Sequence, residues 1–244
     1  MRSTNPIFRE KVFEEAYSLT ERPMTVSGTL NKLLLLTVIM LVAAMAVFYQ
    51  FYLQHFDYVN ILMVAGGIIG FIAIFVIFFN QKLTPYLAPI YAFAQGAVIS
   101  GISCIFEASF PGIVMQAISM TMLTVFVMAM LFKTRIIKVT DKLRSTIMIA
   151  TITVAVFYII SFILMLLSVN VPYFTSTSTL SIVLNVAIAI LAAFNLLLDF
   201  DFIERGSKAP LPSHYEWYGA FGLLVTILWL YVEVLRLLAR LRDR

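Results

Sequence analysis

The sequence predicts an all-α membrane protein with seven transmembrane helices, and its composition and the spacing of its charges are the observations behind that prediction. Hydrophobic residues make up 61% of the 244 residues and charged residues only 12%, whereas soluble domains contain about 45–50% and about 25%. A chain this apolar has too few polar side chains to cover a surface that faces water, so it must be solvated by lipid.

Runs without a charged residue mark the first six spans. A helix needs about 20 apolar residues to cross a bilayer, and the first four runs are each 24 or 25 residues long. The run 145–198 is too long for one helix, and the segment "SVNVPYFTSTST" (168–179) divides it at Pro172. The predicted spans are therefore 33–56, 58–81, 83–106, 108–132, 146–168 and 179–200.

The last apolar stretch is short for a span. It holds only 16 uncharged residues between Glu216 and Glu233, which form about 24 Å of helix against a hydrocarbon core of about 30 Å. Glu233 and Arg236 are three residues apart and are expected to form a salt bridge at the membrane interface. We expect a full span here, which places the C-terminus on the side opposite the N-terminus.

Basic residues predict the orientation. Five precede the first span, Lys82 lies in the second connection, five lie in the fourth, and Arg205 and Lys208 lie in the sixth. The other connections carry none, so the positive-inside rule places the N-terminus in the cytoplasm. Residues 1–28 are then a cytoplasmic arm and residues 29–240 the seven-helix membrane domain. The terminal arginines oppose this orientation, because a full seventh span carries them outside: Arg236, Arg240, Arg242 and Arg244.

The sequence lacks the residue patterns of several function classes. Cys104 is the only cysteine, which excludes an internal disulfide and a cysteine metal cluster. The sequence shows no basic face with stacking aromatic residues, which nucleic-acid binding would need. It also shows no phosphate-binding loop and no nucleophile elbow. We therefore expect neither an enzyme nor a resident cofactor.

Small and polar residues predict which helix faces meet other helices. In the sixth span, Asn185, Asn195 and Asp199 fall within about 80° of one another at 100° per residue. Polar residues in spans normally face the bundle interior, so this face is the predicted sensor or ion path. In the third span, small residues recur every four positions and predict a helix contact: Ala88, Ala92, Gly96, Ser100 and Cys104.

Carboxylates cluster at the cytoplasmic ends of the sixth and seventh helices. Asp201 and Glu204 are expected to be interfacial acids, partly neutralised by Arg205 and Lys208. Asp199 instead continues the polar face of the sixth span, which makes it the predicted titrating residue. Glu216, at the start of the seventh segment, is a neighbouring acid that could share its proton.

Several segments together resemble the transmembrane Bax inhibitor motif family, and the resemblance covers nearly the whole chain. The sixth span ends "LLLDFDFIERG", and the last segment reads "YGAFGLLVTILWLYVEVLRLLARL". The third span "TPYLAPIYAFAQGAVISGIS" (84–103) and the basic connection "KTRIIKVTDKL" (133–143) are also similar to the family. The arm, with "TNPIF" and "MTVSGT", resembles the bacterial branch.

The resemblance implies a fold, a location and two alternative functions. Six helices are expected to surround a short central seventh, in the inner membrane of a bacterium. The first function is a pH-sensitive leak for calcium or another cation. The second is a non-conducting regulator of stress, cell death or membrane proteolysis that binds other membrane proteins. In either case calcium is at most a transported ion and not a cofactor.

The family's pH sensor is a pair of aspartates, one at the end of the sixth helix and one in the seventh. Asp199 matches the first, but an alignment on Leu235–Leu238 places Thr226 at the second. Asp201 and Glu216 are the candidates to replace the missing acid. Two neighbouring carboxylates cannot both stay charged cheaply, and carboxylate oxygens suit Ca²⁺, so Asp199 is also the expected transient calcium contact. The cluster of acids favours the cation leak, and the absence of the second aspartate favours the non-conducting regulator.

Overall fold

The computed structural model describes residues 22–169, 171, 173, 178–209 and 211–243, and most of them are helical. Residues 1–21 of the predicted arm, residues 170, 172 and 174–177 of the connection, Pro210 and Arg244 lie outside the described residues. An isolated antiparallel bridge between Pro23 and Pro212 is the one extended pairing within the described part of the chain.

Seven long helices follow one another along the chain, with a short 3₁₀ turn, Gln81–Leu83, before the third. Each helix is long and apolar enough to cross a membrane, with mean hydropathy between 1.5 and 2.9 over its most apolar window. The predicted all-α architecture with seven spans is therefore confirmed. The helices are α1 (Val26–Tyr52), α2 (Phe56–Phe79), α3 (Thr84–Ser109), α4 (Ile113–Lys133), α5 (Asp141–Leu166), α6 (Thr179–Lys208) and α7 (His214–Arg242).

The helices extend beyond the charge-free runs at several ends. Helix α1 begins at Val26, inside the predicted arm, and α5 begins at Asp141. The seventh helix has 29 residues rather than the 16 of its uncharged stretch, so the expectation of a short seventh helix was wrong. A charge ends the hydrocarbon-facing part of a span, but it does not end the backbone hydrogen bonding of a helix.

Local capping explains where three of the helices start. The Thr25 side chain accepts a hydrogen bond from the Gly28 amide (3.0 Å) at α1, and the Thr140 side chain accepts one from the Leu143 amide (3.2 Å) at α5. At α4, the Glu107 carboxylate accepts hydrogen bonds from the amides of Gly112 and Val114 (2.6 and 3.0 Å). These bonds satisfy amides that the first turn of a helix leaves without a partner.

The chain divides into two compact units, which we describe separately. Unit 1 contains Gly101 and the described residues before it, together with Asp201–Leu224. Unit 2 contains Ile102–Phe200 and the described residues from Val225 onward.

In unit 1 the small-residue ridge of α3 is a helix contact, as predicted. A Cβ atom added at Gly96 would lie 2.8 Å from the Ala43 Cβ and still closer to the Met40 carbonyl oxygen, both on α1. Ser100 donates a hydrogen bond to the Ala44 carbonyl oxygen (2.9 Å). The absence of a side chain at Gly96 therefore lets the two backbones approach closely.

Candidate functional site

Asp199 lies nine residues before the end of α6, in unit 2, and its carboxyl group is only half satisfied. The Thr226 hydroxyl of α7 donates a hydrogen bond to it. Its Oδ2 atom is buried and has no hydrogen-bond partner. Within the described part of the chain, Asp199 forms no ion pair. An ionised carboxylate at this place therefore lacks the compensation that buried charges normally receive.

Thr226 is the residue that the alignment placed at the family's second aspartate, and the structure brings it to Asp199. Asp199 thus faces a neutral hydroxyl where the resemblance to the family implied a second acid. A threonine can donate one hydrogen bond, but it does not titrate in the physiological range. Any change in charge at this pair must therefore come from Asp199.

The two asparagines of the predicted polar face have other partners. The Asn195 amide donates to the Thr151 hydroxyl of α5 (2.8 Å) and to the Leu191 carbonyl oxygen (2.9 Å). Asn185 is fully buried, and its amide donates to the Glu233 carboxylate (2.7 Å). The face therefore connects α6 to α5 and α7 within unit 2, although these bonds do not join the asparagines to Asp199.

The two acids proposed as replacements for the second aspartate lie in unit 1, and each is paired with a cation. The Arg205 guanidinium donates to the Asp201 carboxylate across one helical turn (3.0 Å). Glu216 forms an ion pair with Lys32 and accepts hydrogen bonds from the amide and the hydroxyl of Thr25 (both 2.8 Å). Glu216 therefore fastens the start of α7 to the start of α1.

A second buried carboxylate, Glu233 of α7, was not predicted as a site residue. Its side chain is 1% exposed, and we call Glu233 and its four side-chain donors the Glu233 centre. The donors are the hydroxyls of Tyr158 (2.6 Å) and Tyr173 (3.2 Å), the Asn185 amide (2.7 Å) and the Arg236 guanidinium (3.1 Å).

The pairing of Glu233 with Arg236 was predicted correctly; what the sequence did not reveal is that Glu233 is buried among side chains of other segments. The two oxygens of Glu233 accept bonds from groups on α5, α6, α7 and the connection that contains Tyr173. A sequence signal for this centre exists, because Glu233, Arg236 and Arg240 recur at three- and four-residue spacing and so share one face of α7.

Near the end of α7, Arg240 is buried in unit 2, whereas Arg242 is exposed. The buried Arg240 donates to the carbonyl oxygens of Ser181 (2.6 Å) and Tyr173. Its guanidinium also lies 4.6 Å from the centroid of the Tyr173 ring, a cation–π contact. Arg242 donates to the Pro111 carbonyl oxygen (2.9 Å). Arg240 is therefore a buried hydrogen-bond donor rather than a free loop cation, and Arg242 is an exposed cation bonded to a backbone carbonyl.

The side chains that could coordinate a cation at the site are few. In the residues that the structure describes, no three histidine, cysteine, aspartate or glutamate side chains converge. Asp199 and Thr226 supply a carboxylate and a hydroxyl, whereas Ca²⁺ takes 6–8 oxygen ligands in a stable site. The arrangement suits a proton or a passing cation better than a bound metal ion.

Comparisons with known proteins agree with this arrangement of seven helices at the level of a family. Neither the search of curated proteins nor the search of solved structures gave a match. The family model described as Bax inhibitor 1 like matches residues 5–243, which is nearly the full length. The chain is therefore a seven-helix membrane protein that belongs to the Bax inhibitor 1 like family.

Proposed function

We propose that the protein is a pH-sensitive leak for cations, with calcium as the transported ion and Asp199 as the group that titrates. The observation that carries the proposal is the half-satisfied carboxyl of Asp199, which has one donor, Thr226, and one buried oxygen without a partner. Gaining or losing a proton there changes a partly buried charge that has no counter-ion among the described residues. Such a change can bias the packing of α6 against α7.

The proposal uses the proton as a switch and not as a reactant. When Asp199 is protonated, it can donate a hydrogen bond and hold one packing of the helices. When it is ionised, the uncompensated charge disfavours that packing, and its oxygens can contact a passing cation. The proposal includes no catalytic reaction and no resident cofactor.

Calcium flux into liposomes that contain the purified protein, measured across a pH series, tests the proposal. Asp199→Asn keeps the shape of the side chain and removes the titration, so the pH dependence of flux should disappear. Asp201→Asn is the matched control, because the same change is made two residues along α6, at a carboxylate that pairs with Arg205. Equal effects of the two substitutions, or a normal pH response in Asp199→Asn, would contradict the role of Asp199.

A second candidate function is a non-conducting regulator that binds another membrane protein. The observation in its favour is Thr226, which leaves this pair with one acid where the family pattern has two. The same liposomes separate the two functions. Absence of flux at every pH, in protein whose helical content is intact, supports the regulator.

We also propose that the N-terminus lies in the cytoplasm of a bacterial cell and that the C-terminus lies outside it. Because seven is an odd number of spans, the two ends of the chain lie on opposite sides of the membrane. The burial of Arg240 and the pairing of Arg236 with Glu233 weaken the opposing evidence, since these two arginines are not free loop charges. A reporter that is active only in the cytoplasm, fused after Arg244, should stay silent, and an active one would contradict the proposal.

A further inference from the structure

The net charge of the chain is concentrated in one segment, residues 133–144, which joins α4 to α5 in unit 2. The sequence has 17 lysines and arginines and 13 aspartates and glutamates. Five of the basic residues and one acid, Asp141, lie in this segment, so the remainder of the chain carries 12 of each sign. The whole formal charge of +4 therefore belongs to residues 133–144, which we call the basic segment.

Three lysines of the basic segment carry charges that the protein does not compensate. Lys133, Lys138 and Lys142 are exposed. In the part of the chain that the structure describes, their ammonium groups form no ion pair and no hydrogen bond. Lys32 and Lys208 of unit 1, by contrast, each contact a carboxylate. The three ammonium groups of the basic segment are therefore available to an anion from outside the chain.

The basic segment lies close to the surface of the membrane. It starts at the last residue of α4 and includes the first turn of α5, and only residues 134–140 separate the two spans. The Arg135 amide donates to the Phe132 carbonyl oxygen (3.1 Å), and the Ile137 amide donates to the Leu131 carbonyl oxygen (3.4 Å). These bonds fold the connection back onto the end of α4. Its charges therefore stay near the lipid headgroups, where electrostatic attraction extends over about 10 Å at 0.1 M ionic strength.

An exposed isoleucine lies among these charges. Ile136 is 71% exposed and lies outside both helices, whereas its apolar neighbours Ile137 and Val139 are half-buried. At a membrane surface, such a side chain can be covered by the boundary between headgroups and acyl chains. Apolar side chains next to lysine and arginine are typical of segments that bind in this interfacial layer.

The arginine of the connection is supported by packing within unit 2. The Arg135 guanidinium lies 5.3 Å from the centroid of the Phe132 ring. That ring packs against Phe200 of α6, with the two centroids 5.8 Å apart. A guanidinium presents planar N–H donors that match the oxygens of a phosphate group. The connection thus adds a supported phosphate-binding side chain to its three uncompensated lysines.

We infer that the basic segment binds the phosphate headgroups of anionic phospholipids in the surrounding membrane. The uncompensated lysines select an anion, and polybasic segments beside a membrane span are attracted to anionic lipids. The exposed Ile136 favours a lipid over free phosphate, because a lipid also covers an apolar side chain. The inference goes beyond the proposed function and needs no ion flux. It is also independent of orientation, because both faces of a liposome present the same lipids.

Spin-labelled lipids test the inference on the full-length protein in phosphatidylcholine liposomes. Electron paramagnetic resonance measures the fraction of each labelled lipid that the protein immobilises. We expect labelled phosphatidylglycerol to be immobilised in preference to labelled phosphatidylcholine. The preference should shrink in 1 M salt, where charges are screened beyond about 3 Å. Equal immobilisation of the two lipids at low salt would overturn the inference.

Variants of the three lysines locate the preference. Replacing Lys133, Lys138 and Lys142 together by glutamine should lower it by up to about fivefold for each lysine, whereas replacing them by arginine should preserve it. Lys208→Gln removes an exposed charge that pairs with Glu204 on α6 and should change it little. An unchanged preference in the triple glutamine variant, or an equal loss in Lys208→Gln, would contradict the basic segment as the site. If the triple variant does not fold, Lys138→Gln alone decides in the same way.

Competition separates a lipid headgroup from a free anion. Inorganic phosphate, added to the parent protein, should reduce the preference for phosphatidylglycerol no more than sodium chloride does at the same ionic strength. This result would support a site for lipid. A specific loss of the preference with phosphate would show a site for the free anion and would overturn the assignment to lipid.

Discussion

Unit 2 contains two carboxylates on the contacting helices α6 and α7, the buried Glu233 and the partly exposed Asp199, whose Oδ2 atom is buried. They differ in how completely they are satisfied. Glu233 accepts hydrogen bonds from four side chains, one of them the guanidinium of Arg236. Asp199 accepts one, from Thr226, and keeps one oxygen without a partner. The carboxylate of Glu233 therefore has a full set of hydrogen-bond donors, whereas the carboxyl group of Asp199 has one donor among the described residues.

The comparison separates structural from switching roles. A buried charge that is paired and fully hydrogen-bonded is costly to disturb, because removing any partner leaves the rest uncompensated. A buried carboxyl with few partners loses little when its charge is removed, and the free energy of its surroundings changes when it titrates. Glu233 is therefore expected to hold the fold, and Asp199 to report the proton concentration.

Removing Glu233 should have the largest effect on stability. Glu233→Ala leaves Arg236, Asn185 and two tyrosine hydroxyls without their acceptor, and breaking a buried ion pair costs about 3–5 kcal/mol. Thermal unfolding in detergent measures the loss. Glu204→Gln is the control, because the partner of Glu204, Lys208, is mostly exposed and such pairs contribute about 0.2–1 kcal/mol. Similar melting temperatures for the two variants would contradict a saturated Glu233 centre.

Removing a single donor of Glu233 should have the next largest effect. Tyr158→Phe deletes the hydroxyl that lies 2.6 Å from the carboxylate, and a hydrogen bond to a charged group contributes about 1.5–3 kcal/mol. The free energy of unfolding of this variant can be compared with that of Tyr86→Phe, whose ring is exposed on α3. A loss no greater than that of Tyr86→Phe would show that the bond is not formed in the membrane protein.

Thr226→Val removes the donor of Asp199 while keeping the shape of the side chain. Leaving a buried acceptor unsatisfied costs about 1–3 kcal/mol, and we expect the lower part of this range because Asp199 already has an unpartnered oxygen. The same substitution should also shift the pH at which flux or conformation changes, since it alters the environment of the titrating group. An unchanged pH profile would contradict the contact between Thr226 and Asp199.

Asp199→Asn should change stability least of the four. It removes a charge that has no counter-ion, so we expect a change within about 1 kcal/mol at neutral pH, as for substitutions that break no network. Its thermal unfolding should be almost independent of pH over the range in which the parent protein responds. A loss as large as that of Glu233→Ala would erase the distinction between the two carboxylates.

The interpretation of charges shows where sequence reasoning succeeded and where it failed. Asp199 was singled out because its position on the polar face of α6 follows from helical periodicity. The structure gives it a buried oxygen without a partner among the described residues, and its role as the titrating group stays a prediction. Glu233 was interpreted as the interfacial end of a short span. Three of the four hydrogen-bond donors of Glu233 lie between 48 and 75 positions away in the chain: Tyr158, Tyr173 and Asn185. No periodic pattern within α7 reveals such partners.

The sequence by itself determined the class of protein, the number of spans and the polar face of α6, because these depend on composition and on residue spacing within a helix. The tertiary structure alone decided which charges are compensated. Glu216 pairs with Lys32, Asp201 with Arg205 and Glu233 with its four donors, while Asp199 has one side-chain donor, Thr226, among the described residues. The reason is physical: the cost of a buried charge depends on the donors around it, and in the membrane domain most of these come from other helices.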